Sequence, residues 1–170
     1  MNVSEAIRTK HAVRQFTDQP APEATIRAIL NAGRRAQSSK NTQPWNFVVI
    51  RDRSTLKGLS ECGTWAGHLA GAAFAVALVS PDPSTKWQIA FDLGQAAAYM
   101  QLAAWELGLG SCMASIYETE KAKAILGLPP EMHLDVALSF GHPAADQTRP
   151  PVIKKDGRRS FADVVHWEKW

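Results

Sequence analysis

Three short segments of this 170-residue chain hold more polar and charged side chains than packing alone requires. The first is Lys10-His11-Ala12-Val13-Arg14-Gln15-Phe16, with three nitrogen-bearing side chains inside five residues. Lys10 and Arg14 can meet one phosphate, Lys as a point charge and Arg as a bidentate fork. A solvated basic turn is the alternative. The second is Gln37-Ser38-Ser39-Lys40-Asn41-Thr42-Gln43-Pro44-Trp45, seven hydrogen-bonding side chains closed by Pro-Trp. Amides donate and accept, so Asn41 and Gln43 can read the edge of a heteroaromatic ring. An ordinary polar loop is the alternative, although Pro44-Trp45 fixes the chain and buries a large ring. The third is Lys154-Lys155-Asp156-Gly157-Arg158-Arg159, four cations in six residues. It can close over a phosphate, or be a solvated tail or a weak nucleic-acid patch. The aromatic interleaving of a single-strand binder is missing.

Other chemical templates fail. Gly108-Leu109-Gly110 follows a helix, the wrong order for a dinucleotide fold, and there is no Walker loop and no G-x-S-x-G. The histidines at 11, 68, 133, 142 and 166 have no H-E-x-x-H spacing, so no metal site is expected. Two cysteines, Cys62 and Cys112, cannot build a disulfide framework, and Cys112 reads as a buried packing thiol. Asp92 sits within an apolar helix, where a buried carboxylate needs a partner. A structural role in an N-terminal turn is expected of it rather than catalysis.

These side chains must be positioned by a mixed set of elements. Helices are expected over 4–10 with Ser4 as N-cap, from Pro22-Glu23 through Leu30, over 54–59, over 118–126 with Gly127 as C-cap, and over 160–167. The longest helix spans 87–107 and is apolar on most sides, which places it in the middle of a fold. Strands are expected over 47–50, 74–79, 111–116 and 134–140, with 74–79 and 134–140 fully buried. Residues 11–20 read as extended or irregular. Few strands mixed with helices make this α+β, a small sheet covered by helices. The whole chain, 1–170, is expected to be one domain with a Pro-rich C-terminal arm over about 145–170.

Composition is ordinary for a globular protein, 45% hydrophobic and 21% charged, which argues against disorder. Nineteen Lys and Arg against sixteen Asp and Glu leave +3, enough for an anionic ligand but no mark of nucleic acid. The apolar run 72–79 is too short to span a bilayer, and residues 1–16 lack the apolar run of a signal peptide. A soluble cytoplasmic protein with no membrane partner is expected.

Taken in order, the segments resemble the nitroreductase family of FMN-dependent oxidoreductases. Residues 10–16 match that family's early R-R/H-S-x-R/K-x-F, and residues 37–45 its P-S-x-x-N-x-Q-P-W. Asp92-Leu93-Gly94 through Ala104 to Gly108-Leu109-Gly110-Ser111 matches D-x-G-x-A and G-L-G-S. The turn Gly141-His142-Pro143 and the Arg-bearing arm into Ser160-Phe161 complete the set. Lys10 stands in place of Arg, Ala12 in place of Ser and Gln37 in place of Pro.

The resemblance implies an α+β fold with a small, mostly antiparallel sheet between helices, an intertwined homodimer and two FMN sites at its interface. By similarity, Lys10, His11, Ala12 and Arg14 contact the FMN. Ser38 and Ser39 reach the flavin from the partner subunit, with Gln37, Asn41 and Gln43 in the same pocket. Gly108, Leu109, Gly110 and Ser111 pass close to the ring, and Arg158 or Arg159 returns to the phosphate. The implied reaction passes a hydride from NADH or NADPH through the flavin to a small acceptor such as a nitroaromatic or a quinone. No side chain is assigned as a proton relay. A flavin protein of different chemistry (flavin fragmentation or dehalogenation) and a basic interaction protein are the alternatives.

Overall fold

The computed structural model describes residues 1–147 and 158–170. Its framework is a four-stranded sheet in the order β1-β2-β4-β3, every neighbouring pair antiparallel. The strands are β1 (Asn46–Ile50), β2 (Phe74–Pro81), β3 (Gly110–Ser115) and β4 (Met132–Gly141). Of the two central strands, β2 is buried up to its last residue, as its apolar run requires. Strand β4 is buried at Leu134 and over Ala137–Gly141 but not throughout 134–140 as expected, because Asp135 is exposed and Val136 only partly covered. A register shift between Leu78 and Val79 marks a bulge against β4.

Helices cover both faces. Alternate side chains of β2 divide between two cores, because successive residues of a strand point to opposite faces. Phe74, Val76 and Leu78 pack with Leu138, Phe140 and Trp45 under α2 (Glu23–Arg34) and α4 (Trp87–Glu106). Ala75, Ala77 and Val79 pack with Ile50, Leu134 and Ala137 under α3 (Arg53–Ser60) and α5 (Thr119–Leu126). Phe74 and Phe140 face each other across the strand pair and stack at 4.9 Å between ring centroids. This is the expected α+β arrangement of a small antiparallel sheet between helices.

The ends of the elements show which local signals act. The first helix, α1, spans Val3–Thr9, and Asn2 caps it by accepting from the Glu5 N–H; Ser4 lies inside the helix. Asp52 caps α3 in the same way at Thr55. Pro22 precedes α2 as its N-cap. Gly127 ends α5 with φ +62°, the left-handed conformation that glycine adopts without strain. The last helix, α6, is only Phe161–Val164, shorter than expected. It opens on a capping box between Ser160 and Asp163.

The central placement expected for α4 holds on one side only. Its buried residues Ile89, Asp92, Ala96, Met100 and Ala104 recur every three or four positions and form a single stripe. Trp87 and Phe91 are 70% and 61% exposed, and Tyr99 is exposed as well. Among the described residues of one chain, an apolar helix face is therefore left uncovered.

Removing the Phe140 ring deletes half of the aromatic pair at the sheet's centre. Phe140→Ala should cost about 3–5 kcal/mol in urea unfolding, because the surrounding strands cannot collapse into the void.

Candidate functional site

Residues 10–17 leave α1 and run beside the sheet's β3 edge. Ala12 forms an isolated parallel bridge with Ser111, and the Val13 N–H donates to the Ser111 carbonyl at 3.0 Å. Four residues after Ala12, Phe16 bridges Pro143, and the Thr17 N–H donates to the His142 carbonyl at 2.9 Å. Two glycines make this approach possible. A Cβ on Gly110 would stand 2.6 Å from the Val13 side chain, and one on Gly141 would stand 2.8 Å from the Phe16 ring. Gly108, with φ +78°, makes the turn from α4 that leads to buried Leu109 and into β3. The first polar block, the Gly108–Ser111 segment and the Gly141-His142-Pro143 turn therefore meet in one place.

Side chains of the first block are held from several directions. Thr9 ties the end of α1 to α4 by accepting from Trp105 Nε1 at 2.9 Å. Beside it, His11 sits edge-on to Trp105, with centroids 4.9 Å apart. The His11 ring nitrogens lie 3.1 Å from the Thr9 carbonyl and 2.9 Å from the Gln147 carbonyl. Half-buried Lys10 donates to Gln101 on α4. Its partner is a neutral amide, and burial lowers the Lys10 pKa. The exposed Arg14 is held by its backbone, the N–H donating to Gln147 Oε1 at 3.3 Å. Among the described residues, neither cation has an ion-pair partner.

Beneath these cations lies a buried polar string. Cys112 is 4% exposed, and burial raises its thiol pKa against the opposing pull of Arg14 and Lys10. Its carbonyl accepts from Ser139 Oγ at 3.3 Å, and that hydroxyl lies 2.8 Å from His68 Nδ1. Burial, then the charge of Arg14, lowers the His68 pKa. Two cations without carboxylate partners, beside a close-packed strand edge, match the donor set that a phosphate-bearing cofactor needs.

The second block is built elsewhere. Ser39–Asn41 form a 3-10 turn, and Lys40, Asn41 and Gln43 all have positive φ, +51°, +56° and +49°. Ser38 Oγ accepts the Gln43 N–H at 2.9 Å and closes the turn. The turn is tied to α4 through Asp92, whose Oδ2 accepts the Ser39 N–H at 3.0 Å, and through Gln95, which donates to the Gln37 carbonyl at 3.2 Å. Asn41 and Gln43 remain exposed, while Trp45 is buried in the core.

The anchors of the two blocks, Asp92 and Gln101, are nine residues apart on α4. At about 100° and 1.5 Å per residue they stand roughly half a turn apart around the helix and about 13 Å along it. The two blocks that carry the expected ligands therefore lie on different sides of α4. Of the third cationic segment, Lys154, Lys155, Asp156 and Gly157 lie outside the described residues. Arg158 and Arg159 are exposed, and Arg159 donates to the Asp163 carbonyl of its own segment.

Gln101, Trp105 and Gln147 were not expected to support the site. Gln101 carries a faint signal, being a polar residue within an apolar helix. Gln147 carries none, because its place beside His11 and Arg14 depends on the chain returning past Pro143. Asp92 has the structural role expected, although it stands in the body of α4 and serves the turn at Ser39. Cys112 is the buried thiol expected, and no metal-binding cluster occurs among the described residues. No helix among them is long and apolar enough to cross a membrane.

The nitroreductase family model matches residues 7–63 and 60–142. The chain belongs to the nitroreductase family. A protein of Archaeoglobus fulgidus with the provisional name NADH dehydrogenase/NAD(P)H nitroreductase is 30% identical, over 96% of both chains. An NADH dehydrogenase of Thermus thermophilus is 27% identical over 86% of this chain and 89% of its own. Among solved structures, an FMN-dependent nitroreductase from Clostridium difficile R20291 has the same fold, with a TM-score of 0.84 at 24% identity and 97% and 98% coverage.

Two predictions test this geometry. Gly110→Ala should cost about 1–3 kcal/mol of stability, because the new methyl overlaps the stiff Val13 side chain; chemical-shift changes should concentrate at residues 12–14. The lowered His68 pKa sets a pH dependence. Above the ordinary value of 6.5 the ring is neutral in both folded and unfolded chains. As the pH falls below that value the unfolded chain protonates first, and stability is lost down through the folded pKa. Urea midpoints measured from about pH 7.5 to 5 should fall less steeply in His68→Gln than in the wild type.

Proposed function

We propose that this chain is an FMN-dependent oxidoreductase that passes a hydride from NADH or NADPH through the flavin to a small acceptor, such as a nitroaromatic or a quinone. It works as a homodimer whose two flavin sites are each shared between subunits. The observation that carries this reading is the separation of the two polar blocks around α4. Cations that suit a phosphate stand on one side, and amides that suit a ring edge stand on another. A second copy can bring the loop of one subunit to the strand edge of the other. The uncovered apolar face of α4, with Trp87, Phe91 and Tyr99, supports the same arrangement, since surfaces of that kind mark interaction sites.

In this reading the chain's residues bind and orient. Lys10 and Arg14 hold the phosphate end, and the anion gives the half-buried Lys10 ammonium the counter-charge it lacks. The backbone of Gly108 to Ser111, and Ala12 beside it, lie close to the ring, and His11 is kept in place by its two carbonyl contacts. Gln37, Ser38, Ser39, Asn41 and Gln43 approach from the partner, and Arg158 or Arg159 reaches back to the phosphate. The whole chain forms one FMN-binding domain with a C-terminal arm, acting in the cytoplasm. When bound, FMN supplies the two-electron chemistry, and the protein supplies position and electrostatics.

The test is direct. Purified protein should be yellow, release FMN on denaturation and oxidise NADH or NADPH in the presence of a quinone or nitroaromatic. A colourless protein that cannot be reconstituted contradicts the reading. Arg14→Ala should weaken FMN binding about ten- to a hundred-fold in a fluorescence titration, the effect of one lost charge-assisted hydrogen bond.

A further inference from the structure

Asp92 is 3% exposed and lies on the buried stripe of α4. A buried carboxylate is costly unless its oxygens are satisfied. Among the described residues its two donors are the Ser39 N–H at 3.0 Å, and Gln95 Nε2 at 3.4 Å on its other oxygen. Gln95 also donates to the Gln37 carbonyl, so one pair of side chains grips the loop at two successive points.

What they grip is strained. Three side-chain-bearing residues within four positions, Lys40, Asn41 and Gln43, sit in the left-handed region. Asn accepts that conformation readily, whereas Lys and Gln do not. Backbone of this kind persists only when its surroundings over-determine it. Ser38 closes the turn from inside. The hold from outside comes from α4, at the point where the loop begins.

From this arrangement we infer that Asp92 is a positioning residue, whose buried carboxylate holds the 37–43 loop in its left-handed form so that Asn41 and Gln43 are presented to the flavin of the second subunit. The inference rests on the proposed function and extends it to a residue that touches neither cofactor nor substrate. Asp92→Ala removes both acceptor oxygens. Asp92→Asn keeps the size and one acceptor, and serves if the alanine variant does not fold.

The experiment pairs two readouts on the full-length protein. Amide exchange at Ser39 in the flavin-free protein reads the grip itself. FMN titration by fluorescence reads its consequence. Asp92→Ala should abolish the protection of the Ser39 amide and weaken FMN binding about ten- to a hundred-fold, with a smaller loss in Asp92→Asn. Arg14→Ala should weaken FMN binding but leave the Ser39 amide protected. Lys40→Gly, added to Asp92→Ala, should restore part of the affinity, because glycine adopts the left-handed form without strain; a merely stabilising role for Asp92 gives no such rescue. Unchanged Ser39 protection, or lost protection with FMN affinity kept, overturns the inference. Wild-type protein that takes up no FMN overturns the flavin reading together with this extension, whereas FMN binding equal in the wild type and Asp92→Ala overturns this inference alone.

Discussion

Helix α4 carries two polar segments on opposite sides, and most of what the site can do depends on that constraint. Gln101 and Trp105 hold the start of the 10–17 segment. Asp92 and Gln95 hold the 37–43 loop. Between them runs the stripe of Ile89, Ala96, Met100 and Ala104, which is committed to the core. The helix cannot rotate to bring its two anchor points together without tearing that stripe out of the core. In the proposed reading, a ligand that needs both segments takes them from two chains.

The rest of the architecture follows from holding α4 in place. Gly33 lets α2 approach closely enough that a Cβ there would stand 2.7 Å from Met100. Phe74 and Phe140 supply the opposite wall of the same core. On the strand edge, Gly110 and Gly141 give up side chains so that Val13 and Phe16 can dock, and that docking aligns Lys10 and Arg14 above Cys112. Small residues at the contact points and large ones in the core share the work.

Much of this was legible in the sequence because the signals are local. The apolar runs of β2 and β4, the Pro22-Glu23 opening of α2, the Gly127 stop of α5 and the ordered polar blocks each depend on a few neighbouring residues. The family followed from those blocks, and the comparisons bear it out. Ser4 misled because Asn2, two residues earlier, caps α1. The composition of α4 did not tell a buried helix from one with an uncovered apolar face, since both are rich in apolar residues. The separation of the blocks was not legible from residue types. It appears only when Asp92 and Gln101 are seen to serve as anchors and the angle between them is counted.

Subunit complementation tests the shared site most directly. One chain carries Arg14→Ala, and a second, differently tagged chain carries Asn41→Ala with Gln43→Ala. Each homodimer has both sites damaged. In the heterodimer, a site shared between subunits concentrates all the lesions in one site and leaves the other intact. The account predicts that heterodimers isolated by both tags recover one tightly bound FMN per dimer. Heterodimers that bind FMN no better than either parent homodimer would contradict it.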